Sequence, residues 1–214
     1  NIVKACEEMK VKRAIFISTT GIFTKLNPDS KAIRLEAERL IKDSNLDYTI
    51  IRPTMIYGTP RDRNMWRLIK FLKRFSILPI LGNGNYLQQP VYVKDLANVI
   101  VKAYENPISI KKVYNVSGKK ALTYNEVVDI TAAVLGKKVI KIHIPMKISY
   151  NLIKAYEKIS SKPILKAEQV LRLNENKAFS HEEAKNDLGY DPLEFQEGIK
   201  NEIQYLYLGK KENI

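Results

Sequence analysis

Two apolar runs in this chain stop at residue types that bind ligands. Ala14-Ile15-Phe16-Ile17 ends in Ser18 and Thr19, and Tyr48-Thr49-Ile50-Ile51 ends in Arg52-Pro53. Between them NPDSKAIRLEAERLIK places Lys31 in the first turn of a helix. Small hydroxyls and an ammonium at one sheet end suit the oxygens of a ligand, or more plainly a strand end that satisfies its own backbone beside a solvated lysine. A proline that closes a central strand removes an amide donor and opens the ladder, and strand ends are where α/β sheets bind ligands. Further on, Arg61, Arg63, Arg67 and Lys70 gather within ten residues. Guanidinium forks suit diphosphate oxygens, and a solvated basic face explains the same pattern equally well.

The elements that must position these groups follow from periodicity. Residues 1–9 read as a helix. Residues 14–19 form a continuous apolar run, which predicts a strand buried on both faces. A helix over 28–43 puts Ile33, Ala37, Leu40 and Ile41 on one face, with Asn27 as its cap and Pro28 at its first position. Residues 48–53 give a second buried strand. Strand, helix, strand implies a parallel α/β sheet in which the two strands are neighbours.

Residues 64–75 form an amphipathic helix with Met65, Leu68, Ile69 and Leu72 in one stripe and Arg67, Lys70, Lys73 and Arg74 largely off it. Trp66, Phe71 and Phe75 beside those charges would also suit an interfacial membrane helix, but buried packing is the preferred reading. Gly82-Asn83-Gly84 is the one close glycine pair. It opens no helix and reads as a loop rather than a phosphate cradle. Asp95 is expected to cap a helix over 95–106, 113–118 a strand, Thr123 the start of a helix over 124–135, and VIKIHIP a short strand with a half-buried His143. From 146 onward the chain reads as helical, with breaks at 160–163 and 189–192.

The bulk properties narrow the classes. The 214 residues suffice for a large domain or a core with a cap. No run of about 18 apolar residues predicts a spanning helix, and no signal peptide is visible. The opening NIVKACEEMK lacks an initiator Met and reads as a helix already under way, so an interior start is expected. Cys6 is the single cysteine, which rules out an internal disulfide and fits a reducing, cytoplasmic setting. With only His143 and His181 besides, a metal site has no support. The formal charge of +13 favours anionic ligands or acidic surfaces, or reflects a lysine-rich proteome. No nucleic-acid motif accompanies it.

AIFISTTGIF, the lysine helix, RPTMIYG at 52–58, VYVKDLA at 91–97, VYNVSG at 113–118 and the terminal A-x-x-DLGY-x-P pattern together resemble an extended or atypical short-chain dehydrogenase/reductase of the NAD-dependent epimerase/dehydratase type. The resemblance covers nearly the whole chain, but about the last two-thirds of a full member. It implies an α/β fold, a partial Rossmann-type parallel sheet with a smaller, mainly helical C-terminal substrate cap. The Rossmann part would comprise 1–56 and 91–120, the cap 57–90 and 121–214.

The resemblance also implies roles. Thr19 matches the catalytic hydroxyl and Lys31 the lysine that bonds the nicotinamide ribose, with Ser18, Pro53 and Thr54 lining the cofactor and Arg61, Arg63 and Arg67 meeting the substrate. The family tyrosine, whose pKa the lysine lowers so that it can take a hydroxyl proton, falls on Asn27. An amide cannot shuttle that proton, so Tyr57, a water or the substrate must serve, or there is no proton shuttle. NAD or NADP is the implied cofactor, and its glycine fingerprint would precede Asn1. The implied partner is an anionic nucleotide-sugar-like substrate. A homodimer is expected, nucleic acid is not, and membrane-surface contact is the weaker reading. Two functions stay open: a nucleotide-sugar epimerase, dehydratase or reductase, slow or inactive through Asn27, and a non-catalytic NAD(P)-binding relative acting as a sensor, assembly or membrane-associated factor.

Overall fold

The computed structural model describes residues 2–26, 28–160 and 167–208. The chain divides into two compact units. The first comprises 1–56, 89–120 and 178–195, the second 57–88, 121–177 and 196–214. The segment 178–195 thus packs with the sheet, although the sequence groups it with the cap.

The first unit is α/β. Its parallel sheet runs β1 (Arg13–Ile17), β2 (Asp47–Pro53), then the strand Lys112–Val116. Register pairs Ala14 with Tyr48 and Ile17 with Ile51, so the two apolar runs are parallel neighbours as their sequence predicts. α2 (Asp29–Lys42) crosses between them. Asp29 in its first turn and Arg39 and Lys42 in its last complement the helix dipole. Arg39 adds ion pairs to Glu36 and Asp43 along its exposed face.

One side of the sheet is fully packed. Ile51, Tyr114 and Val116 meet Leu96, Val99 and Ala103 of the helix Val93–Glu105, and Ala184, Leu188 and Tyr190 of the terminal segment. Arg13 pins this corner. Its guanidinium donates to Asp47 O at 2.6 Å, to Thr49 Oγ1 at 2.9 Å, to Ser109 Oγ at 2.7 Å and to Ala103 O.

The other side departs from the expectation of burial on both faces. Among the described residues β1 is an edge strand, bonded only to β2. Ile17 is 51% exposed, and the apolar face of α2 is open as well, with Ile33 68% exposed and Leu40 39%. These residues line an open groove of about 1030 Å³ with α1 (Ile2–Glu8). Only Ile41 at the far end of that face is buried, against Leu46, Tyr48 and Ile50.

The second unit holds the amphipathic helix Met65–Arg74, whose Met65, Leu68, Ile69 and Leu72 are buried. Its apolar stripe is therefore used in internal packing. The strand Ile77–Leu81 pairs in parallel with Ile140–Ile144, and His143 there is exposed rather than half-buried. Thr123 starts the helix Tyr124–Val134 through a capping box: Glu126 N–H donates to Thr123 Oγ1 and Thr123 N–H donates to Glu126 Oε2. Asp95 does not cap its helix, which begins at Val93. It sits in the first turn and accepts from Leu193 N–H at 2.9 Å. The Gly82–Gly84 loop is a loop. Both glycines have positive φ, and a Cβ on Gly84 would lie 2.5 Å from Asn125 Oδ1.

Candidate functional site

The candidate residues of the first unit meet at one short 3₁₀ turn, Thr20–Phe23, just beyond the C-terminal ends of β1 and β2. Thr19 caps it, its Oγ1 accepting from Gly21 N–H at 3.1 Å, which leaves its own O–H able to donate. Thr20 within the turn donates to Pro53 O at 3.2 Å. At the turn's other end the carbonyl of Thr24 accepts from Lys31 Nζ at 2.6 Å. An ammonium carries three donors, so this bond fixes where Lys31 points without exhausting it. Thr19, Lys31 and Pro53 are thus tied to a single turn, one through its cap, one through its last carbonyl and one through its hydroxyl. Asn27 lies outside the described residues.

Beneath the turn runs an ionic layer that sequence reasoning missed. Glu38, 3% exposed, accepts from Arg52 Nε at 2.9 Å, from Arg52 Nη2, and from Ser18 Oγ at 2.6 Å. Burial works to raise the Glu38 pKa, but the bonds from Arg52 and Ser18 and the charges of Arg52 and Lys42 outweigh it and hold the carboxyl below its usual range. The Arg52 guanidinium also lies 5.2 Å from the centre of the Phe23 ring, which packs 5.5 Å from Phe179. Ser18 is therefore committed to Glu38. Thr54 is committed as well, its N–H to Val116 O at 3.0 Å and its hydroxyl to Gln89 O at 2.5 Å. Glu38 follows Lys31 by seven residues, two turns on along the same helix, a spacing that gives no sign of its burial.

A second cluster joins strand Lys112–Val116 to the terminal segment. Ser117 Oγ donates to Phe179 O at 2.8 Å and lies 2.8 Å from His181 Nδ1. With the serine proton given to a carbonyl, the imidazole donates to the hydroxyl rather than activating it, so this pair is not a nucleophile and its base. Burial lowers the His181 pKa.

In the second unit Tyr57 is 1% exposed, and its hydroxyl lies 2.0 Å from where a Cβ on Gly198 would stand. Arg61, Arg63 and Arg67 are exposed, and none forms an ion pair among the described residues. No group of three or more metal-ligating side chains occurs among the described residues.

The sequence profile of the NAD(P)H-binding family matches residues 1–107, half of the chain, including β1, the 3₁₀ turn, Lys31 and β2. The chain belongs to the NAD(P)H-binding family. Within it, this NAD(P)H-binding protein is of the epimerase/dehydratase-like short-chain dehydrogenase/reductase type. It is 32% identical over 130 residues to the mitochondrial NADH dehydrogenase [ubiquinone] 1 alpha subcomplex subunit 9 of Arabidopsis thaliana, covering 59% of this chain and 31% of that protein. It is 26% identical over 228 residues to the UDP-glucose 4-epimerase of Vibrio cholerae, covering 95% of this chain and 66% of the enzyme. The structure of UDP-glucuronic acid 4-epimerase from Bacillus cereus, in complex with UDP-glucuronic acid and NAD, superposes with a TM-score of 0.72 at 21% identity, covering 97% of this chain and 65% of that one. The chain thus spans about a third to two thirds of the length of these relatives. At this identity the superposition establishes a Rossmann-type fold.

NAD or NADP is the cofactor of this family, and the residues present fit one half of it. The Thr19 hydroxyl, the free donors of Lys31 and the proline-ended strand β2 suit a nicotinamide-ribose. The described residues hold no glycine-rich strand-to-helix turn for the pyrophosphate, since the Gly82–Gly84 loop follows a strand of the second unit and opens no helix.

Proposed function

We propose that the protein is an NAD(P)-dependent epimerase, dehydratase or reductase of nucleotide sugars, slow for want of a phenol base. The observation that carries this reading is the convergence of Thr19, Lys31 and Pro53 on one 3₁₀ turn at the sheet end. Bound NAD(P) supplies a hydride acceptor. Lys31 holds the ribose through the donors that Thr24 leaves free. Thr19 donates to the sugar oxygen that loses hydrogen and orients it. In the second unit, taken by itself, the exposed arginines Arg61, Arg63 and Arg67 have forks suited to a diphosphate.

The proton of the reacting hydroxyl then needs a base. Asn27 has none to offer, and Tyr57 is packed over Gly198. Turnover is therefore slow unless water or the substrate's own groups carry the proton. Assay of the intact protein on a panel of nucleotide sugars with NAD and NADP tests this, beside cofactor titration.

A second reading is favoured by Asn27 itself: an NAD(P)-binding protein without turnover, serving assembly or sensing. The 32% identity over 130 residues to a protein named as an NADH dehydrogenase alpha subcomplex subunit supports it. Tight cofactor binding with no turnover on the panel, unrestored by Asn27→Tyr, would select this reading.

A further inference from the structure

In the second unit Glu202, a residue given no role above, is buried without a counter-ion among the described residues. It lies on the helix Phe195–Leu208 and is 0% exposed. Among the described residues, neither of its carboxyl oxygens has a hydrogen-bond partner, and neither does Asp62 Oδ2. The groups facing Glu202 are the Asp62 carboxyl and the Gly58 N–H, and neither closes a full hydrogen bond with it. No cation is among them. The other oxygen of Asp62 is occupied: Oδ1 accepts from Asn64 N–H at 2.9 Å and Trp66 N–H at 3.2 Å, which starts the helix Met65–Arg74.

Two charged carboxylates facing each other without solvent would be strongly repulsive, and one of such a pair keeps its proton. The surrounding packing leaves them little room to separate. One turn before Glu202, Gly198 lies under the Tyr57 ring so closely that its missing Cβ would stand 2.0 Å from Tyr57 Oη. The helix is therefore seated on residues 57–62 at two successive turns, by a glycine contact and by the acid pair.

We propose that Asp62 and Glu202 share a single proton, and that this proton latches the helix Phe195–Leu208 to the segment leading into Met65–Arg74. The shared proton belongs to the pair. Burial, with the Asp62 carboxyl adding to it, pushes Glu202 up to about 9. The sign follows. A group whose folded pKa lies above its unfolded value contributes stability that is complete below about 4.5 and is lost as pH rises through about 9. Removing the proton leaves two buried carboxylates face to face and opens the latch. Arg61 and Arg63 flank Asp62 in sequence, so the latch also sets where these two guanidiniums are held. That consequence rests on the substrate reading above, whereas the latch itself does not.

The test is urea unfolding of the intact protein from pH 5 to pH 9, beside Glu202→Gln and Asp62→Asn, with and without magnesium or calcium. Glutamine mimics the protonated acid. Relative to E202Q, the wild-type unfolding constant should rise about tenfold per pH unit across the window, the signature of one proton released. In D62N, which keeps an amide oxygen for Asn64 and Trp66, the upper end of the window should move to lower pH. D62N carries the test even if E202Q does not fold. Parallel wild-type and E202Q profiles, or a D62N profile identical to wild type, would overturn the proposal. So would a midpoint at pH 8 raised by magnesium or calcium and insensitive to them in E202Q, because the pair would then hold a cation in place of the proton.

Discussion

Arg52 grips Glu38 with two nitrogens across the gap between β2 and α2: Nε lies 2.9 Å from Oε1, and Nη2 donates to Oε2. This pair joins the strand that ends in Pro53 to the helix that carries Lys31, and Ser18 at the end of β1 bonds the same carboxyl. Three of the elements around the candidate site are therefore held by one buried glutamate.

Truncating either partner should cost far more than a surface ion pair does. Arg52→Ala or Glu38→Ala leaves an uncompensated buried charge and should destabilise the fold by about 3–5 kcal/mol, read as a drop in the urea midpoint. Because the Glu38 pKa is depressed on folding, the stability it adds is present above the ordinary carboxylate value and is lost as pH falls through the folded one. Glu38→Gln should flatten that acid-side loss. A wild-type loss that persists unchanged in E38Q would assign it to other groups.

His181 titrates in the same direction in a higher range. Burial lowers its pKa below 6.5, so the stability its neutral form contributes is present above pH 6.5 and falls as pH drops below it. The fall should be visible below pH 6.5 and should be smaller in His181→Gln.

Gly198→Ala should be among the more damaging single-methyl changes in the chain. The added carbon would meet Tyr57 Oη at 2.0 Å and ring carbon Cζ at 2.8 Å. Overpacking of this kind costs about 1–3 kcal/mol. Tyr57→Phe removes the nearer contact only, so the double variant should recover part of the loss in thermal midpoint.

The open groove beside β1 should promote association. An unpaired strand edge next to exposed Ile17, Ile33 and Leu40 is a template for further pairing. Ile33→Asp with Leu40→Asp should lower light scattering at high protein concentration while leaving the unfolding midpoint nearly unchanged, since neither side chain is buried.

The parallel pairing of β1 with β2, the helix between them and the buried stripe of Met65, Leu68, Ile69 and Leu72 were legible because hydrophobic period and run length report local structure directly. The helix start at Thr123 was legible as well, from the residue type that suits a helix end. The period alone marks Ile33 and Leu40 as an apolar face without saying whether a partner covers it. Thr19, Lys31 and Pro53 could be singled out by type and position. Glu38 could not, because a glutamate in a helix looks solvated until Arg52 and Ser18 are folded against it. Asp62 and Glu202 are 140 residues apart in sequence, and only the folded chain brings their carboxyls together.

Lys31 gives the binding half of the functional account its own test. If Lys31 bonds the ribose as proposed, Lys31→Ala removes a charge-assisted bond worth about 1.5–3 kcal/mol. It should weaken NAD(P)H binding by the tenfold or more that this implies, with little effect on the unfolding midpoint of the half-exposed site.

Comparison of wild type with Asn27→Tyr decides whether the proposed cofactor site lacks only its proton shuttle. Both intact proteins would be assayed for cofactor affinity and for turnover on a nucleotide-sugar panel. NAD(P)H affinity should be similar in both, with slow turnover in wild type and turnover raised by about 10²–10⁴-fold in Asn27→Tyr, the usual worth of a positioned general base. Brisk wild-type turnover that Asn27→Tyr does not raise would contradict this proposal.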